Sequence, residues 1–294
     1  MVRAWIAWAV VIAAGCGDAA PAGPAPRFEW TVDQHAIATR LRGEMGWGQL
    51  DVRLRPPGVV AVDGSGLPRA TQVRIGETTL TAGGDRRVTG EVPLGGDLGA
   101  IGLDLFDGSD RPVELPVEIV VRGVRTAPFR AGLRATRSDV ADVVTARLVA
   151  VFDGKPVVYA QEPAAPRAMA WARTDPTYGW IVGVVGDVKP GERLADLAWV
   201  ARIDTEIVGR RRCGRYRAQD GSETRDVELE IEAARARVYD RKTGALIDEK
   251  AFAPAKPRCA AVVALQAGQR AYTRGSGDAE LAAWLEGFAA KQVR

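Results

Sequence analysis

Paired carboxylates are the side chains of this sequence whose type and spacing best suit catalysis. Asp204 and Glu206 stand two residues apart in a stretch that predicts a β-strand, so both carboxylates share one face. Glu228, Glu230 and Glu232 repeat that spacing further along the chain. Two carboxylates about 5–10 Å apart can hydrolyse a glycosidic bond. Alternating charge is also typical of the solvated face of an antiparallel strand, and we favour that interpretation for both sets.

Other groups that commonly carry catalysis are scarce. His35 is the single histidine, and no partner at metal-ligand spacing accompanies it. The sequence contains no glycine-rich phosphate-binding motif, no nucleophile elbow and no zinc-protease motif. We therefore expect a protein without catalytic activity, cofactor or metal.

The overall charge argues against a nucleic-acid partner. Forty basic residues face 37 acidic ones, which leaves a net charge of only +3. The densest basic patch is Arg210–Arg212, followed by Arg215 and Arg217, and such a patch can meet anionic headgroups or lipopolysaccharide phosphates. Because Glu223 and Asp226 follow closely, we favour a solvated strand with local ion pairs.

Two cysteines lie in the body of the chain. Cys213 and Cys259 are an even pair, which favours a disulfide in an exported protein. Two buried free thiols are the alternative. A metal site is disfavoured because the sequence has no C-x-x-C motif and its histidine is distant in sequence.

Two of the tryptophans are candidate binding residues. Trp30 and Trp47 lie beside irregular, glycine-rich sequence, where an exposed ring can stack on a sugar or anchor a protein partner. The alternative is a small satellite cluster that packs at the edge of a β-domain. Trp180 and Trp199 lie within apolar stretches and predict core positions.

In the first half of the body, turn residues separate short apolar segments as they do in a β-sandwich. About seven short apolar or alternating segments end at Gly, Pro or Asp, which predicts an immunoglobulin-like β-sandwich over residues 28–123. The stretch before them is ambiguous, because Ile37, Leu41 and Met45 have helical spacing and Asp33 could cap a short helix. The predicted strand segments are Leu50–Leu54, Val59–Val62, Val73–Ile75, Thr78–Thr81, Val88–Val92, Ile101–Leu105 and Val113–Val121.

Residues 124–294 predict an α+β region with an antiparallel sheet and a terminal helix. The helix at residues 278–293 carries one apolar stripe, and Ser138–Ala150 also has near-helical spacing. The strand predictions are Val149–Phe152 and Val157–Ala160 around an Asp153–Gly154 turn, Gly179–Val188, Leu197–Val208 and a hairpin over Asp226–Phe252.

The predicted hairpin contains a change of apolar parity. Leu229 falls in odd register and Val238 in even register. An extra residue near Ala233–Ala234, as in a β-bulge, would return both side chains to one face.

The N-terminus has the features of an export signal. Arg3 precedes the apolar stretch Ala4–Ala14, whose 11 residues are too few for a membrane span of ~20. The small residues Ala13, Ala14 and Gly15 then stand directly before Cys16. This segment resembles the lipobox signal of bacterial membrane lipoproteins, and the resemblance implies cleavage before Cys16 and acylation of that cysteine. An ordinary secretory signal cut further on and a buried apolar helix are the alternatives.

The residues after Cys16 suit a tether. Residues 16–27 are rich in Pro, Gly and Ala and lack apolar periodicity, so they cannot bury a core. By the sorting rule of enterobacterial lipoproteins, the resemblance implies that Gly17, directly after the cysteine, favours the outer over the inner membrane. We thus expect signal peptide 1–15, tether 16–27, sandwich 28–123 and α+β domain 124–294. Together they predict a monomeric, lipid-anchored bacterial envelope protein that binds an envelope protein or glycan. A carboxylate-only surface hydrolase is the alternative.

Overall fold

The computed structural model describes residues 29–43, 48–56, 58–95, 97–106, 111–123, 127–175, 177, 179–217, 223–253, 258–265, 269–275 and 278–291. The signal segment, Cys16, the tether and Trp47 lie outside the described residues. Within the described ranges the chain is mainly β, with three sheets and two α-helices. The expected fold class, a β-sandwich followed by an α+β region, is confirmed.

Nine strands build the first region. Alternation places Leu50, Val52 and Leu54 of one strand in the core and the polar residues between them at the surface. In chain order the strands are β1 (Trp30–Val32), β2 (Thr39–Gly43), β3 (Gln49–Arg55), β4 (Val59–Ser65), β5 (Gln72–Ile75), β6 (Thr78–Thr81), β7 (Val88–Pro93), β8 (Val113–Arg122) and β9 (Phe129–Ala135).

These strands form two antiparallel sheets around one core. The first sheet has the order β1-β2-β3-β4-β7 and the second has the order β6-β5-β8-β9. Leu50 and Val52 of the first sheet belong to the same buried cluster as Ile119 and Leu133 of the second. This shared core makes the two sheets a sandwich.

The segment before β3 is a hairpin rather than a helix. The Asp33 carboxylate accepts a hydrogen bond from the His35 amide at 3.0 Å, and the Asp33 amide donates to the Arg40 carbonyl at 2.8 Å. These bonds close a turn between β1 and β2. The helical spacing did not produce an apolar face, since Leu41 is buried whereas Ile37 is exposed.

The strand predicted at Ile101–Leu105 is wrong. The chain forms two 3₁₀ turns there, Leu98–Ala100 and Leu103–Phe106. The Asp97 carboxylate accepts the Gly99 amide at 2.9 Å and so begins the first turn. Its other oxygen accepts the Ala160 amide, which ties this segment to a distant loop that sequence alone does not bring near.

The second region contains six strands and both helices. They are α1 (Arg137–Val149), β10 (Ala168–Asp175), β11 (Gly179–Val184), β12 (Leu197–Arg217), β13 (Thr224–Asp240), β14 (Leu246–Phe252), β15 (Ala271–Gly275) and α2 (Asp278–Lys291). The sheet has the order β11-β10-β12-β13-β14, and β15 pairs with β13. It is mixed rather than wholly antiparallel, because β10 runs parallel to β12 and β15 runs parallel to β13.

Two short strands predicted after α1 are absent from the structure. The helix continues into a 3₁₀ turn, Ala150–Asp153, which ends at Gly154 in the left-handed region with φ of 73°. Residues 157–160 are not a strand either, since the amide of Val157 donates to the Arg241 carbonyl at 2.9 Å instead of to a ladder. Asp153–Gly154 therefore ends a helix rather than turning a hairpin.

The base of β12, residues 197–203, lies between two hydrophobic cores. Leu197 and Val200 join the core that also contains the sandwich and the buried face of α1. Trp199 and Ile203 join a second core beneath α2. The predicted stripe of α2 is confirmed as a packing face. Its members Leu281, Leu285 and Phe288 are buried, and Trp284 packs against them from a partly buried position.

The sandwich and the second region are continuous. Strand β9 lies beyond residue 123, where we expected the domains to divide, yet it pairs with β8 along its whole length. Val140 and Val144 of α1 belong to the same core as the sandwich strands. The position of a domain boundary stays a prediction.

The bulge predicted at Ala233–Ala234 is wrong. Strand β13 carries no extra residue there, and the register shifts against β12 arise in β12, at 207–209 and 212–214. The buried residues Leu229 and Val238 of β13 therefore face opposite sides of the sheet. The apolar parity changes because the covered face of the strand changes along its length.

Candidate functional site

Strands β12 and β13 continue far beyond the second core as a long ribbon, and β15 pairs with residues 228–232 of β13 along its other edge. We call residues 204–217 of β12 and 224–235 of β13 the β-arm. Strand β10 pairs with β12 only as far as Ile203, and past that point no other described strand pairs with this edge of β12. Fourteen residues at about 3.3 Å each give β12 an extension of about 45 Å.

The Asp204 carboxylate, at the start of the β-arm, is held by two arginines. Arg202 Nε donates to Oδ1 at 2.8 Å, and a terminal nitrogen of Arg237 donates to Oδ2 at 2.6 Å. The Arg202 guanidinium also lies 5.7 Å from the ring centre of Trp180. Both oxygens thus accept charge-assisted bonds, one from within β12 and one from Arg237 of β13, and this arrangement favours a structural role.

The glutamates of β13 face arginines of β12. Glu230 pairs with Arg210 across the strands at 2.9 Å, and Glu228 stands opposite Arg212 in register. Asp226 also pairs with Arg212, at 3.4 Å. The predicted basic run and the predicted carboxylate set therefore form one ladder of cross-strand ion pairs.

One carboxyl group with a raised pKa lies on α1, outside strands β12 and β13. Burial, and then the neighbouring Asp139, raise the pKa of Asp142. Among the described residues, no group of three or more metal-ligating side chains converges.

His35 and Trp30 both lie at the outer strands of the sandwich. His35 is exposed in the turn after β1. Trp30 is partly buried in β1 and packs against the sandwich core, which is what the satellite-cluster alternative predicts. Trp47 lies outside the described residues, so its role as a binding residue stays a prediction.

Cys213 and Cys259 lie at disulfide distance. Their Cα atoms are 5.5 Å apart, within the range of disulfides, and the pair spans 46 residues. Cys213 belongs to β12 of the β-arm, and Cys259 belongs to residues 258–265, which we call the linked segment. The pair therefore fastens an irregular stretch of chain to the β-arm.

Two tyrosines fix the linked segment further. The Tyr216 hydroxyl of β12 donates to the Ala260 carbonyl, and the Ala260 amide donates to the Tyr272 hydroxyl of β15 at 2.8 Å. Val227 and Leu229, on the same stretch of the β-arm, are fully buried although they belong to neither large core. The linked segment and its attachments thus form a third, small packed unit.

The linked segment exposes apolar side chains. Residues 260–265 read Ala-Ala-Val-Val-Ala-Leu, and Val262 is 86% exposed, the largest exposure among the large hydrophobic residues of the described chain. Between Ala253 and Gly275 the sequence has four basic residues and no acidic one. Sequence reasoning missed this feature, although a charge-free run next to a paired cysteine was its signal.

Two clefts lie away from the linked segment, one within the second region and one between the two regions. One of about 260 Å³ opens between α2 and the sheet, with Trp171, Arg173 and Glu232 in its lining. The other, of about 810 Å³, lies between the Leu103–Phe106 turn and residues 184–193. In the larger cleft the Asp104 carboxylate pairs with Arg137 at 2.7 Å, so its charge is already compensated.

The loop after α1 is fixed by a buried arginine. The Arg241 side chain is fully buried; it donates to the carbonyls of Leu197 and Val157 and to Glu162 Oε2 at 2.7 Å. Burial alone raises the pKa of Glu162, but hydrogen bonds from Arg241, the Tyr159 amide and Lys242 outweigh it and lower the pKa to about 2. This network has a structural role and is not an open binding site.

No helix in the described ranges is long and apolar enough to cross a membrane. Comparison with protein-family models, with curated proteins and with solved structures finds no match to this chain.

Proposed function

We propose that the protein is a lipid-anchored component of the bacterial cell envelope that acts by binding another envelope component. The anchor part of this proposal rests on the sequence Ala13-Ala14-Gly15-Cys16 and on the tether that follows it. The outer membrane is the proposed location, and the protein is proposed to act as a monomer.

The observation that best supports binding is the β-arm with its linked segment. Loops and ribbons that extend beyond a packed scaffold commonly carry recognition, because their side chains are free of core packing. Here a segment that Cys213–Cys259 fastens to the ribbon exposes apolar side chains to solvent. Such a surface is costly to leave in water and is typical of an interaction site.

The hydrolase alternative has less support. Asp204 accepts bonds from two arginines, and Glu230 pairs with Arg210. These carboxylates are engaged in ion pairs with arginines, and such an arrangement favours a structural role.

Fractionation of cells tests the anchor. The Cys16→Ser variant should leave the membrane fraction, because stable anchoring needs more than one acyl chain and all of them attach at that cysteine. A Cys213→Ser/Cys259→Ser variant is the matched control, since it removes cysteines without touching the anchor, and it should stay in the membrane. A Cys16→Ser chain that remains membrane-bound and unprocessed would contradict lipidation.

Crosslinking in the native envelope tests binding. A photo-crosslinking residue at position 262 should yield a specific adduct identified by mass spectrometry, whereas one at position 158, another exposed valine, should not. Adducts of equal yield from both positions would contradict recognition through the linked segment.

A further inference from the structure

The smaller cleft, of about 260 Å³ between α2 and the sheet, has the lining of a small-molecule site. One wall consists of β10 and residues 184–186, and the other wall is α2. Ile203 and Leu285, both buried, contribute to its mainly apolar lining. Small-molecule sites are typically concave and apolar, with a few polar groups that orient the ligand. Because sites for drug-sized ligands span about 300–1,000 Å³, this cleft suits a smaller molecule.

Strand β10 brings two hydrogen-bond donors to this cleft. Trp171 stands opposite Gly183 of β11, where an added Cβ would lie 2.5 Å from Cζ2 of the ring, so the glycine lets the indole lie against the strand. The Arg173 guanidinium lies 5.7 Å from the centre of the same ring. In the part of the chain that the structure describes, neither the indole N–H nor the guanidinium forms a hydrogen bond or an ion pair. Both donors are therefore available to an anionic group.

Two carboxylates also line the cleft. Glu286 follows the buried Leu285 on α2, and Glu232 enters the lining from β13. Neither carboxylate forms an ion pair with a described residue, whereas Asp204 is bound by two arginines. Arg173 and Glu286 thus face one cleft from opposite walls without pairing. Because two carboxylates accompany one arginine, a ligand that carries only an anionic group would be repelled.

From this arrangement we propose that the cleft binds a small apolar α-amino acid in its zwitterionic form. The ligand carboxylate accepts hydrogen bonds from Arg173 and from the Trp171 indole, and the ligand ammonium group donates to Glu286. The aliphatic side chain of the ligand lies against Ile203 and Leu285, where burial of apolar surface favours binding. The inference goes beyond the proposed function, because the linked segment does not line this cleft.

Calorimetric titration with L-leucine and three analogues tests the inference. The full Cys16→Ser chain is used, because it keeps every residue of the cleft. Isocaproate lacks the ammonium group of leucine, isoamylamine lacks its carboxylate, and glycine lacks its side chain. We expect leucine to bind most tightly and each analogue to bind at least about tenfold more weakly, since each analogue loses one of the three contacts.

Substitutions then assign each ligand group to a side chain. Arg173→Gln should weaken the binding of leucine and isocaproate about tenfold and leave isoamylamine unchanged. Glu286→Gln should weaken leucine and isoamylamine about tenfold and leave isocaproate no weaker. Trp171→Phe keeps an aromatic ring but removes the N–H, so its loss of affinity should be smaller and confined to the ligands that carry a carboxylate.

The matched controls keep the cleft intact. Arg167→Gln changes an exposed arginine directly before β10, and Glu280→Gln changes a carboxylate of α2 that pairs with Lys250. Neither residue lines the cleft, and both variants should bind leucine as the parent chain does.

Three results would overturn the inference. They are the absence of leucine binding at millimolar concentration, equal affinity for leucine and glycine, and equal losses for leucine, isocaproate and isoamylamine in both the Arg173→Gln and the Glu286→Gln variants. None of these results affects crosslinking at position 262, which tests the proposed function separately.

Discussion

The two ends of β12 lie in different environments, one buried and one largely exposed. At the base, residues 197–203 are covered on both faces by large cores, and five of the first seven positions form an unbroken buried run. In the β-arm, the same strand is largely exposed and is held by cross-strand ion pairs, a disulfide and a short covering segment. The comparison shows that hydrophobic packing stabilises the base of β12, whereas a disulfide and ion pairs stabilise its exposed part.

The largest expected effect lies at the base. Arg241→Met removes a fully buried guanidinium together with its bonds to Glu162 and to two backbone carbonyls. We expect a loss of about 3–5 kcal/mol in the free energy of unfolding, measured in urea. Arg235→Met in β13 is the control, because the ion pair of Arg235 with Glu249 of β14 is exposed, and this variant should cost less than about 1 kcal/mol. Equal losses of unfolding free energy in the two variants would show that the buried Arg241 stabilises the fold no more than an exposed ion pair does.

The next effect separates the β-arm from the base. The Cys213→Ser/Cys259→Ser variant opens a loop of 46 residues, for which the chain-entropy model gives at most about 4 kcal/mol. Amide exchange should accelerate at Val227 and Leu229 and stay unchanged at Leu50 and Ile119 of the sandwich. Uniform acceleration through the whole chain would contradict the separation of the two regions.

A pH titration tests how much the Glu162–Arg241 network stabilises the fold. The folded-state pKa of Glu162 is about 2, below its ordinary value of 4.5, so its stabilisation is complete above pH 4.5 and is lost as the pH falls toward 2. The Glu162→Gln variant should lack about 2–3 kcal/mol at neutral pH and show a flatter acid limb in thermal unfolding. Glu91→Gln, at an exposed position of β7, should keep the wild-type limb. An unchanged limb in Glu162→Gln would contradict this assignment.

The smallest effect distinguishes structure from chemistry at Asp204. Asp204→Asn weakens two charge-assisted bonds at a partly exposed site, and we expect a loss of about 1 kcal/mol with the biological activity intact. Glu206→Gln, on the exposed part of β12, is the control and should be nearly neutral. If Asp204→Asn abolished activity while stability survived, the carboxylate would carry chemistry and the hydrolase alternative would return.

Local pattern was enough for most strands and both helices. Alternation predicted β3, Pro93 predicted where β7 ends, and the i, i+3, i+4 stripe predicted α2. The Asp63–Gly64 signal did not end β4, which continues to Ser65. These features depend on residues close in sequence. Pattern failed at residues 101–105 and 149–160, where apolar residues are buried by contacts with distant segments rather than by a ladder of their own.

The sequence by itself determined the class of fold and the candidate cysteine pair, because periodicity, turn residues and an even cysteine count are local or countable properties. Only the tertiary structure decided which face of each strand is covered. It shows that the parity change in β13 is a change of the covered face and that glutamates of β13 pair with arginines of β12. It also shows that Val262 is exposed beside basic residues. The physical reason is that burial depends on which segments from elsewhere in the chain pack against a strand. The local sequence of a strand does not reveal whether a core or water covers a given face.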